Sequence, residues 1–364
     1  MNKQTGIGIL PLAFTWIMSV GLNNHVLVLP FILHSSGRDS WISVLIGMGL
    51  ALIWSPLLYY ILKSAKGYHL KDWLVQACGK AGAWIILAII LLGQFAVVFS
   101  TYEDTVRWTD SSYLLETPQF IITIAILPLC YFAAQGGIET IAICAGLFFP
   151  FVALLGIFVM AVNFQFKDYT LLFPLFVDGY APVWKGAVYA GVGYAELLML
   201  LFIQHHVKKP IRYLHVFLLL MMITWITTGP ISGSISAFGA VEASIQRYPA
   251  FEQWKLARIG SYIEHMDFFS IFQWLSGAFI RISLGLYLMI ELLKVKSVVG
   301  KNIALLAVSV VMMLVVIIPK SDMMFDAMLY NYLFPGYLIL MFSLSLVLGG
   351  LAVRMNRKGR RAPS

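Results

Sequence analysis

The chain has 364 residues, of which 60% are hydrophobic and only 12% charged, and it carries a formal net charge of +8. An ordinary soluble domain is about 25% charged, so this composition, with a mean hydropathy of +0.85, excludes one and indicates a polytopic membrane protein. The basic excess lies at the ends of apolar stretches and in the tail Arg354, Arg357, Lys358, Arg360 and Arg361. That is a membrane-topology pattern and not a face for nucleic-acid phosphates.

The first apolar stretch, Gly6 to Leu33, would be about 40 Å long as a single helix, against a bilayer core of about 30 Å. It can span with tilt or with a break. Gly21, Leu22, Asn23, Asn24 and His25 mark the break, because glycine disfavours helix and asparagine competes for backbone hydrogen bonds. In lipid the freed backbone groups need partners, so an interrupted helix is tolerated only where it is buried or lines a cavity. Transporter folds use such helices as substrate sites. The plainer reading is a tilted helix with a polar kink. The run is too long for a removable signal peptide and lacks a small-residue cleavage site.

With this first span at 7–33, further spans at 41–62, 83–106, 118–135, 139–162, 184–204, 212–236, 268–291, 302–318 and 333–353 make about ten transmembrane helices. An even number puts both termini on one side. Placing them in the cytoplasm leaves 16 basic residues inside and 8 outside, so both termini are expected to be cytoplasmic. The sixth span carries a second interruption, Ala190-Gly191-Val192-Gly193-Tyr194-Ala195-Glu196. Its position, five spans after the first, predicts two inverted five-helix repeats, about 7–162 and 184–353, with helices 1 and 6 broken. They form one transmembrane domain over 1–364 with a basic cytoplasmic tail at 354–364. Gly191 and Gly193 can equally serve close helix packing. Residues 163–183, cut by Pro174 and Pro182, read as a re-entrant or interfacial segment. Residues 237–267 read as an external connection with short helices that cover a cavity mouth.

Glu196 is the one acidic residue well inside a span, so it is a functional candidate that binds a cation, relays a proton or meets a ligand amine. The alternative is a protonated side chain bonded to neighbouring backbone. Arg281, mid-span, should face the bundle interior and find Glu196, a carbonyl or a ligand carboxylate, unless its span starts later and it snorkels. Glu103, Asp104 and Arg107, at the outer end of the third span, read as a solvated, partly self-paired cluster. His205, His206 and His215 suggest no metal site: adjacent histidines on a helix face different directions, and no carboxylate or thiol accompanies them. Cys78, Cys130 and Cys144 are packing residues. No hydrolase, phosphate-loop, zinc-protease or haem spacing is present, so neither enzymatic activity nor a cofactor is expected.

From Tyr248 to Tyr287 the sequence YPAFEQWKLARIGSYIEHMDFFSIFQWLSGAFIRISLGLY resembles the B subunit of bacterial spore germinant receptors, the endospore germination permease family. The shared features are Tyr248-Pro249, Arg258, Glu264, Asp267, Trp274 and the FIRIS run, Phe279 to Ser283, with its basic residue Arg281. Pro30, Leu114 to Pro118, and the glycine/glutamate pattern before the His205–Lys209 loop add to them. His265 departs from the pattern, where the family carries arginine. The resemblance implies an amino-acid/polyamine/organocation-type fold and a nutrient-sensing role in the inner membrane of the spore, alongside A-type and C-type subunits. Carried onto this chain, the fold's ligand site comprises Gly21, Leu22, Asn23 and Asn24, whose backbone N–H groups would receive a carboxylate. Val98, Phe99, Gly193, Tyr194, Glu196, Gly277, Ile280 and Arg281 complete it. A proton-coupled amino-acid permease using Glu196 is the alternative reading.

Overall fold

The computed structural model describes residues 6–259, 265–318 and 321–361. Glu264 of the resemblance, and the basic residues Lys3 and Lys320, lie outside the described residues. The fold is all-α. Its first helix is broken where the sequence indicates: α1 (Ile9–Leu22) ends in a five-residue π turn, Asn23–Leu27, before α2 (Leu29–Ser36). Pro30 lies in the first turn of α2, where a missing N–H costs nothing. Then come α3 (Ser40–Ser64), α4 (Leu70–Ser112), α5 (Gln119–Gln135) and α6 (Gly137–Val162). Gly79 interrupts α4 with a φ of 81°, a conformation glycine adopts without strain, and separates a short lead-in from the apolar part.

The second half opens with α7 (Ala181–Ala195), which tightens into a 3-10 turn at Glu196–Met199 and continues through α8 (Leu200–Ile203) to a second 3-10 turn, Gln204–His206. The helices α9 (Tyr213–Phe238), α10 (Ala240–Ile245), α11 (Pro249–Leu256), α12 (Phe268–Leu293), α13 (Val298–Ile317), α14 (Asp322–Met328) and α15 (Phe334–Arg361) follow. Between α6 and α7 the helical elements are two 3-10 turns, at Asn163–Phe166 and Tyr169–Leu172.

Among the described residues, eight helical runs are long and apolar enough to cross a membrane. Of the ten spans read from the sequence, the first falls short because it is divided at Asn23, and the fourth because α5 has 17 residues. The runs Ala181–His206 and Phe268–Leu293 bury 89% and 78% of their most apolar stretch inside the protein, and the others 39% or less. These two helices are therefore the core, and the rest present apolar side chains outward, as a lipid-facing shell must. α12 packs on α1, α4, α5 and α6, while α7 packs on α2, α3 and α15. Both described ends of the chain lie at one end of the bundle. Ile7 pairs with Val207, and Asn356 bonds the Tyr60 hydroxyl near the C-terminal end of α3.

Candidate functional site

The π turn exists because Gly21-Leu22-Asn23-Asn24 ends one helix inside the protein, where side chains can take over the backbone's work. Asn23 and Asn24 are wholly buried. Asn23 donates to Glu196 Oε1 at 3.1 Å, and Asn24 donates to Thr227 Oγ1 on α9 at 3.0 Å. The backbone N–H of Asn23 is taken by the Val20 carbonyl, so that donor is already committed.

Glu196 meets Arg281 in a two-pronged ion pair with both N–O distances at 2.7 Å. The guanidinium also donates to the Ser19 carbonyl at 3.0 Å and to Thr101 Oγ1 at 2.9 Å. Both side chains are 3% exposed or less. Burying two charges is costly, and planar pairing plus further hydrogen bonds offsets that cost. Of the partners the sequence offered Arg281, the structure selects Glu196 and a carbonyl together. The network thus joins α1, α4, α12 and the 3-10 turn that continues α7. A void of about 10 Å³ beside it, bordered by Val98, Trp16 and Gln94, has room for about one water.

The roomier space lies on the other face of the broken helix. A cavity of about 230 Å³ is lined by Gly21, Leu22 and His25 of the break, Gly156 of α6, Gly277 of α12 and Trp254 of α11. Its wall is mostly apolar. Trp274, also on that wall, is fixed by parallel stacking on Trp108 at 4.0 Å. Lys167, in the 3-10 segment after α6, reaches the same space. Burial pushes its ammonium below the usual lysine range, and it has no ion-pair partner among the described residues. Gly21, Leu22 and Gly277 therefore face the cavity, while Asn23, Glu196, Arg281 and Val98 belong to the ion-pair side. Ile280 is wholly buried and lines neither space, and Phe99 stacks on Phe95 at 6.2 Å.

Residues 11–325 match the model of the family described as spore germination protein. The chain belongs to that family. This spore germination protein is 38% identical over 337 residues to spore germination protein XB of Bacillus anthracis, covering 93% of this chain and 95% of that one. It is 22% identical over 281 residues to spore germination protein KB of Bacillus subtilis (strain 168), covering 75% and 74%. Among solved structures it is similar to MhsT in complex with L-phenylalanine, with a TM-score of 0.66, 12% identity and coverage of 95% and 94%. That similarity establishes the transporter-like fold alone.

Within this spore germination protein the second interruption lies later than its glycines. α7 is regular through Ala195, and the tightening starts at Glu196. Gly191 and Gly193 serve close packing instead, the alternative the sequence allowed. A Cβ on Gly193 would sit 1.9 Å from Asn24 Oδ1, and one on Gly191 would meet the Leu338 side chain at 3.2 Å. Gly193→Ala should therefore push Asn24 off Thr227 and destabilise by about 1–3 kcal/mol, with Gly191→Ala costing clearly less. Thermal unfolding in detergent measures both, and equal losses would contradict this packing. Tyr194, beside it, bonds Thr224 Oγ1 at 2.8 Å and is spent on helix contacts.

Two sequence expectations need correction. Glu103 and Asp104 are not solvated: they are 1% and 0% exposed. Arg107 pairs with Glu103 at 2.7 Å and also with Asp322. Arg247, from the segment between α10 and α11, bridges Asp104 at 2.6 Å and Asp326 at 2.8 Å. The fold supplies α4 with partners more than 140 residues away, which no local reading of α4 contains. Likewise, His205 and His206 do not diverge. They sit in a 3-10 turn, not a regular helix, and both approach Glu291 Oε1, at 3.2 and 3.0 Å. His215 is elsewhere, accepting the Arg212 N–H at the start of α9.

Proposed function

We propose that this protein is the nutrient-sensing membrane subunit of a spore germinant receptor, acting with A-type and C-type subunits in the inner membrane of the spore. The observation that carries the reading is the apolar cavity built against the break in the first helix. A pocket of a few hundred cubic ångströms with few polar groups suits a small ligand with an apolar body. A sugar would leave most of its hydroxyls unpaired against such a wall, a loss of affinity that apolar contact does not offset. The favoured ligand is an amino acid with an apolar side chain, its carboxylate beside Lys167. The buried acceptors Asn23 Oδ1 and Asn24 Oδ1, without partners among the described residues, give the break spare hydrogen-bonding capacity.

Residues on opposite faces of one turn then link ligand to network. Met18, Leu22 and His25 face the cavity, whereas Ser19 and Asn23 hold Arg281 and Glu196. A ligand that shifts the π turn changes the ion pair's hydrogen bonds, and that is the signal passed to the partner subunits. A second reading, a proton-coupled amino-acid permease that uses Glu196, fits the same transporter-like fold. Equilibrium binding of a panel of labelled amino acids and sugars to purified protein tests the ligand class. Saturable binding of an apolar amino acid with no bound sugar is expected, and binding of sugars alone would overturn the assignment.

A further inference from the structure

At the end of the bundle that holds both described chain ends, three segments distant in sequence converge on one carboxylate. His69 immediately precedes α4, His205 lies in the 3-10 turn after α8, and Glu291 is in the last turn of α12. One ligand atom from each lies within 4.8 Å of the other two. Glu291 Oε1 is 3.2 Å from His205 Nε2 and 3.8 Å from His69 Nε2. We propose that His69, His205 and Glu291 form a binding site for a divalent transition-metal ion of the zinc type. The ion would tie the two core helices to the start of α4.

The donor set fits. Zinc takes histidine nitrogen and carboxylate oxygen at about 2.0–2.2 Å, which puts tetrahedral ligand atoms roughly 3.3 Å apart. The observed spacings need small side-chain rotations and no movement of helices. Two imidazoles and one carboxylate leave a fourth position open for water or for His206, whose Nε2 bonds the same oxygen at 3.0 Å and the Tyr287 hydroxyl at 2.9 Å. The side chains are 10–14% exposed, shielded yet reachable by an ion. His205 Nδ1 is buried without a partner among the described residues, so the present hydrogen bonds do not exhaust the cluster.

Ligation has a cost at His69. Its Nε2 lies 2.9 Å from the Glu291 carbonyl, and its Nδ1 accepts the Lys71 N–H at 3.2 Å. Binding metal through Nε2 gives up both bonds. Lys71 and Lys294 stand nearby, Lys294 paired with Asp72. Their charges weaken the site relative to a closed four-ligand zinc centre. What the ion would do follows from what it joins. Glu196 is on the same helical run as His205, and Arg281 is on α12, so a bound ion would clamp the ends of the two helices that share the buried ion pair.

The test uses full-length protein purified without a polyhistidine tag, with Co²⁺ as spectroscopic probe and Zn²⁺ as competitor. One Co²⁺ per chain should bind with the strong visible absorption of four- or five-coordination, and Zn²⁺ should displace it. His205→Ala and Glu291→Gln should each weaken binding by more than about tenfold, while His215→Ala leaves it unchanged. Zn²⁺ should also raise the thermal midpoint of the unsubstituted protein and not of the two variants. Should Glu291→Gln not fold, His205→Ala carries the test alone. Only six-coordinate, water-like Co²⁺ spectra, or unchanged affinity in His205→Ala, would overturn the proposal and leave a proton-linked hydrogen-bond cluster.

Discussion

Arg281→Met is expected to be among the most destabilising single changes in the protein, by about 3–5 kcal/mol. The substitution leaves the Glu196 carboxylate buried with only the Asn23 side-chain amide as a donor partner among the described residues. A charge left in an apolar interior loses far more than the pair itself contributes. Glu196→Gln should cost less than Arg281→Met, since the guanidinium keeps the Ser19 carbonyl and Thr101. Replacing both members together, Glu196→Leu with Arg281→Met, should recover most of the stability, because a well-packed apolar pair often matches a buried salt bridge. Thermal unfolding and the monodisperse fraction in detergent measure all three. The double variant should fold and still fail to respond to nutrient, since the pair proposed to read the helix break is gone. Arg281→Met with unaltered stability would show that the pair is not desolvated as the structure has it.

The second large effect is expected from filling the cavity. Gly156 lines it from α6, and an added Cβ meets only the end of the Gln273 side chain, at 3.4 Å. Gly156→Phe should place a ring in the space proposed for the ligand, with no backbone within 4 Å of the added Cβ. Binding should fall below detection while yield and thermal stability stay near the parent's, as replacing glycine also favours helix. Gly146→Phe is the matched control. It is on the same helix, an added Cβ there meets nothing within 4 Å, and it lies away from the cavity. Equal ligand binding in the two variants would remove this cavity from the site.

Parts of this arrangement were legible in the sequence because they are local. The GLNNH stretch announced the broken first helix, and the π turn begins at Asn23, within it. A lone glutamate and a lone arginine in apolar spans have few ways to be satisfied, and pairing each other was among those foreseen. The cavity was not legible. It arises where Gly21, Gly156, Gly229 and Gly277, from four separate elements, leave space side by side, and no spacing rule links them. Nothing in the sequence near Lys167 marks it as reaching that cavity. In the sixth span the glycines drew attention to the wrong turn of the right helix. Their missing side chains make room for Asn24 and Leu338, while the helix changes pitch at Glu196. Glu291 closes the 268–291 span, and only the tertiary fold brings His69 and the histidine pair to it.

A sensing subunit binds a nutrient and reports it to partners instead of carrying it across the membrane. The most direct test measures equilibrium binding and uptake of one labelled apolar amino acid with the same reconstituted liposomes, with and without an imposed proton gradient. Saturable binding with no accumulation above equilibrium is the result expected of a sensing subunit. Gradient-driven accumulation that Glu196→Gln abolishes would contradict it and make the protein a permease.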